Sequence, residues 1–155
     1  MYHRQDMLAV MLAMLLAPEP SGGEQRALWT AIDDVRRSQA IYEAILAHPN
    51  TAKLRPFPRI LRAKKRHEKR LVKVAIKRGY GDPPVQWNRS EVIAPGEKRA
   101  SCAMAVDQEL RNAAIYETAM ALPLAGRTMR VMRWVHRRVR NHDVTDFEAC
   151  VRLAK

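Results

Sequence analysis

A helix-length segment occurs twice in this chain, 74 positions apart, and this repeat constrains the fold more than any other feature. The first copy spans 31–47 and reads AIDDVRRSQAIYEAILA, and the second spans 105–121 and reads AVDQELRNAAIYETAMA. Eight of the seventeen aligned pairs are identical, among them Arg37 with Arg111 and Tyr42 with Tyr116. Self-similarity at a fixed period is typical of repeated architecture, and a basic helical stretch follows each copy. The chain is therefore expected to contain two related helix hairpins.

Proline and glycine clusters predict where these hairpins begin and end. Pro18 to Gly23 forms a break after an apolar beginning, and Ser21 and Glu24 have the spacing of a capping box. The 3.6-residue apolar period then predicts four helices, and no segment shows strand alternation. We expect hairpins over residues 21–80 and 100–155, joined by a long crossover over residues 81–99. The predicted fold is an all-α, up-down four-helix bundle, preceded by a short apolar helix over residues 1–20.

The N-terminal region and the two cysteines bear on location. Residues 7–17 form an apolar run that is too short to span a bilayer, so no membrane span is expected. The run fits a helix that packs on the bundle or forms a subunit contact, and a secretory segment stays open as the alternative. Cys102 and Cys150 lack CxxC spacing, which argues against a disulfide scaffold or a zinc knuckle. The expected location is the cytoplasm.

The net charge of +12 is concentrated in two of the predicted helices. Residues 53–78 contain twelve Lys or Arg and one acid, Glu68, and residues 127–142 contain six Arg and no acid. Segregated charge of this kind attracts polyanions, although such helix faces can also pair with acids elsewhere. The candidate polyanion-binding residues are Lys65, Arg66, Lys69, Arg70, Lys73, Arg133, Arg137 and Arg140. These faces are expected to lack the interleaved aromatic side chains of a single-strand stacking platform.

Several short patterns, in order along residues 25–152, resemble those of a known family. Segments 34–42 and 109–116 each end in the repeated tyrosine, and the second begins with Glu109. Segment 63–67 reads AKKRH, YGDPP follows at 80–84, Trp87 comes next, and His142 precedes Phe147 in the last helix. In these residues the chain resembles the ferritin-like superfamily, specifically small bacterial rubrerythrin-like proteins of unassigned function. The resemblance implies a four-helix bundle with a two-metal site in its core.

Most of the metal-ligand positions that this resemblance implies are altered. The family has a glutamate ligand seven residues before each tyrosine, and Glu109 retains it, but Val35 stands there in the first copy. Lys64 replaces the glutamate expected three residues before His67. The remaining candidate ligands are Glu109, His67, His142 and Asp34. Such a set would hold iron or zinc weakly at most, so the resemblance implies a degenerate site with no cofactor and no catalytic residue.

Lys64 is expected to take the place of the missing metal. It lies on the apolar stripe of the second helix, and Glu109 lies on the inward stripe of the third. A buried carboxylate without a positive partner is costly, and the Lys64 ammonium could supply that charge. His67 or a tyrosine hydroxyl would then take the spare hydrogen bonds. The alternative for His67 and His142 is an ordinary position at the core edge, and Tyr42 and Tyr116 are expected to pack with bonded hydroxyls.

The predicted function is therefore binding or structural rather than catalytic, with the basic helix faces meeting an acidic partner. Two alternatives stay open: a residual metal-dependent oxidase or peroxidase that uses the four candidate ligands, and a non-specific nucleic-acid-binding bundle. Metal content would test the first, and the salt dependence of DNA or RNA binding would test the second. Self-association through helical faces is a further expectation that the sequence leaves open.

Overall fold

The computed structural model describes residues 22–154, which form four packed helical rods and confirm the predicted all-α class. The first three rods are α1 (Gly22–Ala47), α2 (Phe57–Lys77) and α3 (Lys98–Met120). The fourth rod consists of α4 (Gly126–Arg138), a π-helical segment (Val139–Asp143) and α5 (Val144–Leu153). The connection between α2 and α3 is irregular, as expected, apart from one 3₁₀ turn at Arg89–Glu91. The apolar helix expected over residues 1–20 lies outside the described residues.

None of the helices described within residues 22–154 combines the length and the apolarity that crossing a lipid bilayer would need.

The described helices pack around two hydrophobic clusters. The first cluster contains Leu28 of α1, Tyr116 of α3, and Met132 and Val135 of α4. The second cluster contains three aromatic rings whose centroids lie 4.8–5.4 Å apart, a spacing at which aromatic pairs attract one another. These rings belong to Tyr42, Phe57 and Phe147.

A layer of buried polar side chains separates the two clusters. Along α1, for example, the chain passes from the first cluster through Asp34 and Ser38 to the second cluster. The same change occurs along the other rods, so every rod contributes to one layer. We call this set the polar layer: Asp34, Ser38, Lys64, His67, Gln108, Glu109, Asn112 and Asp143. Because buried polar groups are costly without partners, their hydrogen bonds decide whether the layer is stable.

The order of the clusters along each rod gives the direction of the helices. α1 and the fourth rod run from the first cluster to the second, whereas α2 and α3 run from the second to the first. Since α2 and α3 point the same way, the connection between Lys77 and Lys98 must return along the length of the bundle. Gly79 and Gly81 open this connection with φ angles of 80° and 72°, which a side chain other than glycine would strain.

The π-helical segment changes which residues of the fourth rod face inward. The inward stripe of α2 runs through Phe57, Ile60, Lys64, His67, Leu71 and Val74, and that of the fourth rod runs through Met132, Val135, Val139, Asp143, Phe147 and Cys150. Ala75, Thr128 and Val144 are buried beside these stripes. From its first to its last member, the stripe of the fourth rod spans one residue more than that of α2. The reason is that a π turn inserts one residue into the helical ladder. As a result, the buried counterpart of His67 is Asp143, and His142 is exposed.

Two local expectations are corrected. The Tyr116 hydroxyl, expected to be hydrogen-bonded, is buried without a hydrogen-bond partner among residues 22–154. Cys102 of α3 and Cys150 of α5 form a disulfide inside the second cluster, with their Cα atoms 5.7 Å apart.

The Glu24 carboxylate accepts hydrogen bonds from Arg78, Tyr80 and the backbone N–H of Ala125 at 2.6–3.0 Å. It thereby joins the start of α1 to the end of α2 and to the turn before α4, and these hydrogen bonds outweigh burial and lower the pKa of Glu24. The capping box expected between Ser21 and Glu24 lies outside the described residues.

Candidate functional site

The Lys64 ammonium and the Glu109 carboxylate form a fully buried ion pair at the centre of the polar layer. Nζ of Lys64 lies 2.5 Å from Oε2 of Glu109, and both side chains have no exposed surface. The hydroxyl of Tyr42 donates to Oε1 of Glu109. Nζ also donates to Oδ1 of Asn112 at 3.3 Å. The contact expected between Lys64 and Glu109 is therefore present, and a tyrosine hydroxyl takes the spare carboxylate oxygen.

A second carboxylate, which sequence reasoning missed, belongs to the same cluster. Oδ2 of Asp143 lies 3.3 Å from Nζ of Lys64, within ion-pair distance but without hydrogen-bond geometry. One buried ammonium thus faces two buried carboxylates. We call these side chains, with Tyr42, the lysine cluster: Tyr42, Lys64, Glu109 and Asp143.

The protonation of the lysine cluster follows from this imbalance. Burial alone would lower the pKa of Lys64, but the charges of Glu109 and Asp143 outweigh it and raise that pKa. Burial also raises the pKa of Glu109, and the nearby Lys64 only partly opposes this shift. The pKa of Asp143 is raised by burial in the same way. The ammonium is therefore held charged, while burial raises the pKa of both carboxylates.

His67 is buried beside the cluster but forms no hydrogen bond to Glu109. Its Nδ1 atom is buried without a hydrogen-bond partner, and its ring meets the Trp134 ring edge-on with centroids 5.3 Å apart. Burial, together with the charges of Lys64 and nearby arginines, lowers the pKa of His67 to about 3. The imidazole is therefore neutral at physiological pH and does not supply a charge to the core.

Asp34 lies in a second part of the polar layer, between α1 and α3. Its Oδ1 accepts from Nε of Arg111 at 3.0 Å, and its Oδ2 accepts from Gln108 and Asn112 at 3.1 and 2.9 Å. Gln108 also donates to Ser38. We call this set the aspartate group: Asp34, Ser38, Gln108, Arg111 and Asn112. Asn112 connects the two parts, because its amide donates to Asp34 and its carbonyl oxygen accepts from Lys64.

The four candidate metal ligands do not come together in the structure. Glu109 is bound by Tyr42 and Lys64, Asp34 is bound by the aspartate group, and His142 is exposed. Within residues 22–154, no three His, Cys, Asp or Glu side chains are arranged so that they could hold a metal ion. The space beside Glu109, where the family resemblance implied a second ligand, is taken by the ammonium of Lys64.

The basic faces of α2 and α4 meet around Trp134. The guanidinium of Arg70 lies 3.9 Å from the centre of the Trp134 ring, and that of Arg138 lies 5.9 Å from it. An aromatic side chain is thus interleaved with the basic ones, contrary to expectation. Basic residues three or four positions apart lie on the same face of α2 or of the fourth rod as the two arginines. We call this surface the basic seam: Arg66, Lys69, Arg70, Lys73, Arg133, Arg137 and Arg138.

Two of the predicted polyanion-binding residues are instead paired with acids. Nζ of Lys65 lies 3.5 Å from Glu43 of α1, and Nη2 of Arg140 lies 3.1 Å from Glu117 of α3. By contrast, no basic-seam side chain forms an ion pair with another residue in the described range 22–154. Arg138 was not among the residues predicted from the sequence, although its spacing of four residues from Trp134 was a usable signal.

No protein-family model, curated protein or solved structure matches this chain significantly. Any inference about function therefore depends on the geometry of the polar layer and of the basic seam.

Proposed function

We propose that this chain is a non-catalytic binding protein whose basic seam docks an acidic segment of a partner protein. The observation that carries this proposal is the stack of Arg70 on Trp134, 3.9 Å apart, with Arg138 nearby. A guanidinium stacked on an aromatic ring keeps its in-plane N–H groups available, and these match a carboxylate in a bidentate manner. The ring also limits the rotamers of Arg70, which reduces the entropy lost on binding.

The size of the seam favours an acidic peptide over a nucleic acid. From Arg66 to Lys73 the basic stripe of α2 extends about two helical turns, roughly 10 Å. That length accommodates a turn or a short helix carrying several carboxylates, whereas a duplex backbone would gain few phosphate contacts. Because Arg70 covers the nearer face of Trp134, this ring is also poorly placed to stack on a base.

Binding to poly-L-glutamate and to a short duplex DNA, each followed over a range of salt concentrations, tests the proposal. We expect saturable, salt-sensitive binding of poly-L-glutamate that the triple variant Arg66→Gln/Arg70→Gln/Arg138→Gln loses by at least about tenfold. The matched control is Lys53→Gln/Lys98→Gln/Arg99→Gln, which removes the same charge away from Trp134 and should have little effect.

Two outcomes would contradict the proposal. Equal losses in both triple variants would mean that net charge, and not the seam, is responsible. DNA binding that is more than about tenfold tighter than poly-L-glutamate binding would favour the nucleic-acid alternative, and with several phosphate contacts it would weaken by about three decades or more between 50 and 200 mM salt.

We further propose that the bundle is ferritin-like in connectivity, that it consists of two repeated hairpins, and that Lys64 replaces a lost metal. The parallel direction of α2 and α3, with a long connection between them, supports the connectivity. The contact between Asp34 and Gln108 supports the repeat, because these residues are 74 positions apart and so occupy equivalent places. Side chains that contact their own counterpart are expected near a pseudo-twofold axis. An experimental structure in which residues 22–77 and 98–153 do not superpose would refute the repeat.

The disulfide bears on location. Disulfides persist mainly in oxidising compartments, so the Cys102–Cys150 pair favours a location outside the cytoplasm over the cytoplasmic one expected from the sequence. Alkylation of protein from its native host under non-reducing conditions tests this proposal. Two thiols that react without reductant would support the cytoplasm instead.

A further inference from the structure

A cleft of about 430 Å³ lies beside α1 and α3, beneath the connection that follows α2. Trp29 and Arg37 of α1, Arg111 of α3 and Trp87 of the connection line it. Its volume falls within the range of small-molecule sites, and its lining combines the apolar surfaces of the two tryptophans and Ile115 with several charged side chains. The cleft belongs neither to the lysine cluster nor to the basic seam.

The charges in this cleft do not balance. It contains three guanidinium groups, from Arg26, Arg37 and Arg111, and two carboxylates, from Asp33 and Asp34. Arg111 and Asp34 neutralise each other through their ion pair at 3.0 Å. The carboxylate of Asp33 accepts a hydrogen bond from the backbone N–H of Gln86 at 3.1 Å. One positive charge remains in excess.

Arg26 also forms no ion pair within residues 22–154, and the repeat explains why Arg37 forms none. Arg37 and Arg111 are equivalent, and the equivalent of Asp34, the partner of Arg111, is Gln108. A neutral amide therefore stands where the symmetrical carboxylate for Arg37 would be. Within residues 22–154, Arg37 forms no ion pair. A guanidinium that lines a cleft without a carboxylate partner is suited to receive one from a ligand.

We propose that this cleft binds a small monocarboxylate with an aromatic or otherwise apolar body. The carboxylate pairs with the guanidinium of Arg37 from within the cleft, and the body packs between the two tryptophans and Ile115. A neighbouring cleft of about 420 Å³ shares Arg37 and Arg111 but adds Glu91 and Asp107. Because Asp34 already neutralises Arg111, this cleft has one carboxylate more than Arg37 can neutralise. The anion is therefore assigned to the first cleft.

Benzoate is the probe, followed by isothermal titration calorimetry and by the indole N–H signals of the three tryptophans in ¹H–¹⁵N NMR spectra. We expect saturable binding that shifts the signals of Trp29 and Trp87 and leaves that of Trp134 unchanged. Benzamide, which has the same shape without the charge, should bind at least about tenfold more weakly.

The variants locate the binding site. Arg37→Gln should weaken benzoate binding at least about tenfold, and Arg37→Lys should retain part of the affinity because it keeps the charge but loses the planar fork. Arg130→Gln removes the same charge from an exposed position of α4 and should leave binding unchanged. Absence of saturable binding up to about 10 mM benzoate, equal binding of benzamide, or equal affinities of Arg37→Gln and the unchanged protein would each overturn the proposal.

Discussion

The lysine cluster and the aspartate group bury charge in the same polar layer but balance it differently. Lys64 and Glu109 have no exposed surface, so every charge there must be compensated by another buried group or by a proton. Asp34 is also buried, but its partner Arg111 has a side chain that is 57% exposed, so water stabilises that cation. The stability of an enclosed ion pair therefore depends on equal numbers of buried positive and negative charges. A pair with one partner at the surface tolerates unequal charges, because water stabilises the exposed ion.

Removing the ammonium of Lys64 should produce the largest effect. Lys64→Met leaves two buried carboxylates without a cation, and breaking a buried pair from one side typically costs about 3–5 kcal/mol of the free energy of unfolding. Chemical denaturation measures this loss. Lys65→Met, at the exposed neighbouring position, is the matched control and should change stability by less than about 0.5 kcal/mol.

Neutral partners should then restore stability to the Lys64→Met variant. Adding Glu109→Gln removes one stranded charge, and adding Asp143→Asn removes the other, so the triple variant should recover more than the double variant. If Lys64→Met alone leaves the free energy of unfolding unchanged, the Lys64 ammonium does not compensate the charges of the two carboxylates.

These residues also show how far the sequence alone could predict the site. The contact between Lys64 and Glu109 was predictable because both lie on inward stripes with a visible 3.6-residue period, and because the family resemblance implied metal ligands at both positions. Asp143 was not predictable, because a π turn inserts one residue and no local sequence signal marks it. The same insertion turned His142 outward.

The fold was easier to predict than its long-range pairs. Helices and their connections depend on local period and on Pro and Gly, whereas the Cys102–Cys150 bond joins residues separated by 48 positions without a local motif. The stack of Arg70 on Trp134 likewise depends on how α2 packs against α4.

Titration of the polar layer should give the next largest effect. Burial raises the pKa of Glu109 from 4.5 to about 7, so the folded protein keeps a proton that the unfolded chain loses. This contribution stabilises the fold below pH 4.5 and is lost as the pH rises to about 7, a change on the order of 3 kcal/mol. His67 acts in the opposite direction, because its pKa falls from 6.5 to about 3 and stability rises with pH in that interval.

The two contributions should nearly cancel between pH 4.5 and 6.5 in the unchanged protein. Glu109→Gln should therefore make the free energy of unfolding rise with pH, and His67→Gln should make it fall. Denaturation midpoints measured across this range test both signs. Identical pH profiles for the two variants would contradict the raised pKa of Glu109 and the lowered pKa of His67.

Restoring carboxylates should convert the lysine cluster into a metal-responsive one. Val35 is fully buried and is the repeat counterpart of Glu109, so Val35→Glu with Lys64→Glu replaces the ammonium by acids that require a cation. Zn²⁺ or Fe²⁺ at about 100 times its dissociation constant should raise the free energy of unfolding by about 2.7 kcal/mol. Val35→Gln with Lys64→Gln is the control without charge. A metal response in that control, or none in the carboxylate variant, would count against Lys64 as a replacement for a metal.

The smallest effect is expected in the aspartate group. Asp34→Asn keeps the size of the side chain but removes the charge that faces Arg111, and it places an amide where both Gln108 and Asn112 donate. Asn112 cannot reverse its amide to compensate, because its oxygen accepts from Lys64. We expect a loss of about 1–3 kcal/mol, limited because Arg111 remains hydrated. Chemical denaturation of Asp34→Asn and of Lys64→Met measures the difference between their losses. Asp33→Asn, on the same helix, is the control. A loss as large as that of Lys64→Met would show that exposure of the cation gives the aspartate group no advantage over the enclosed cluster.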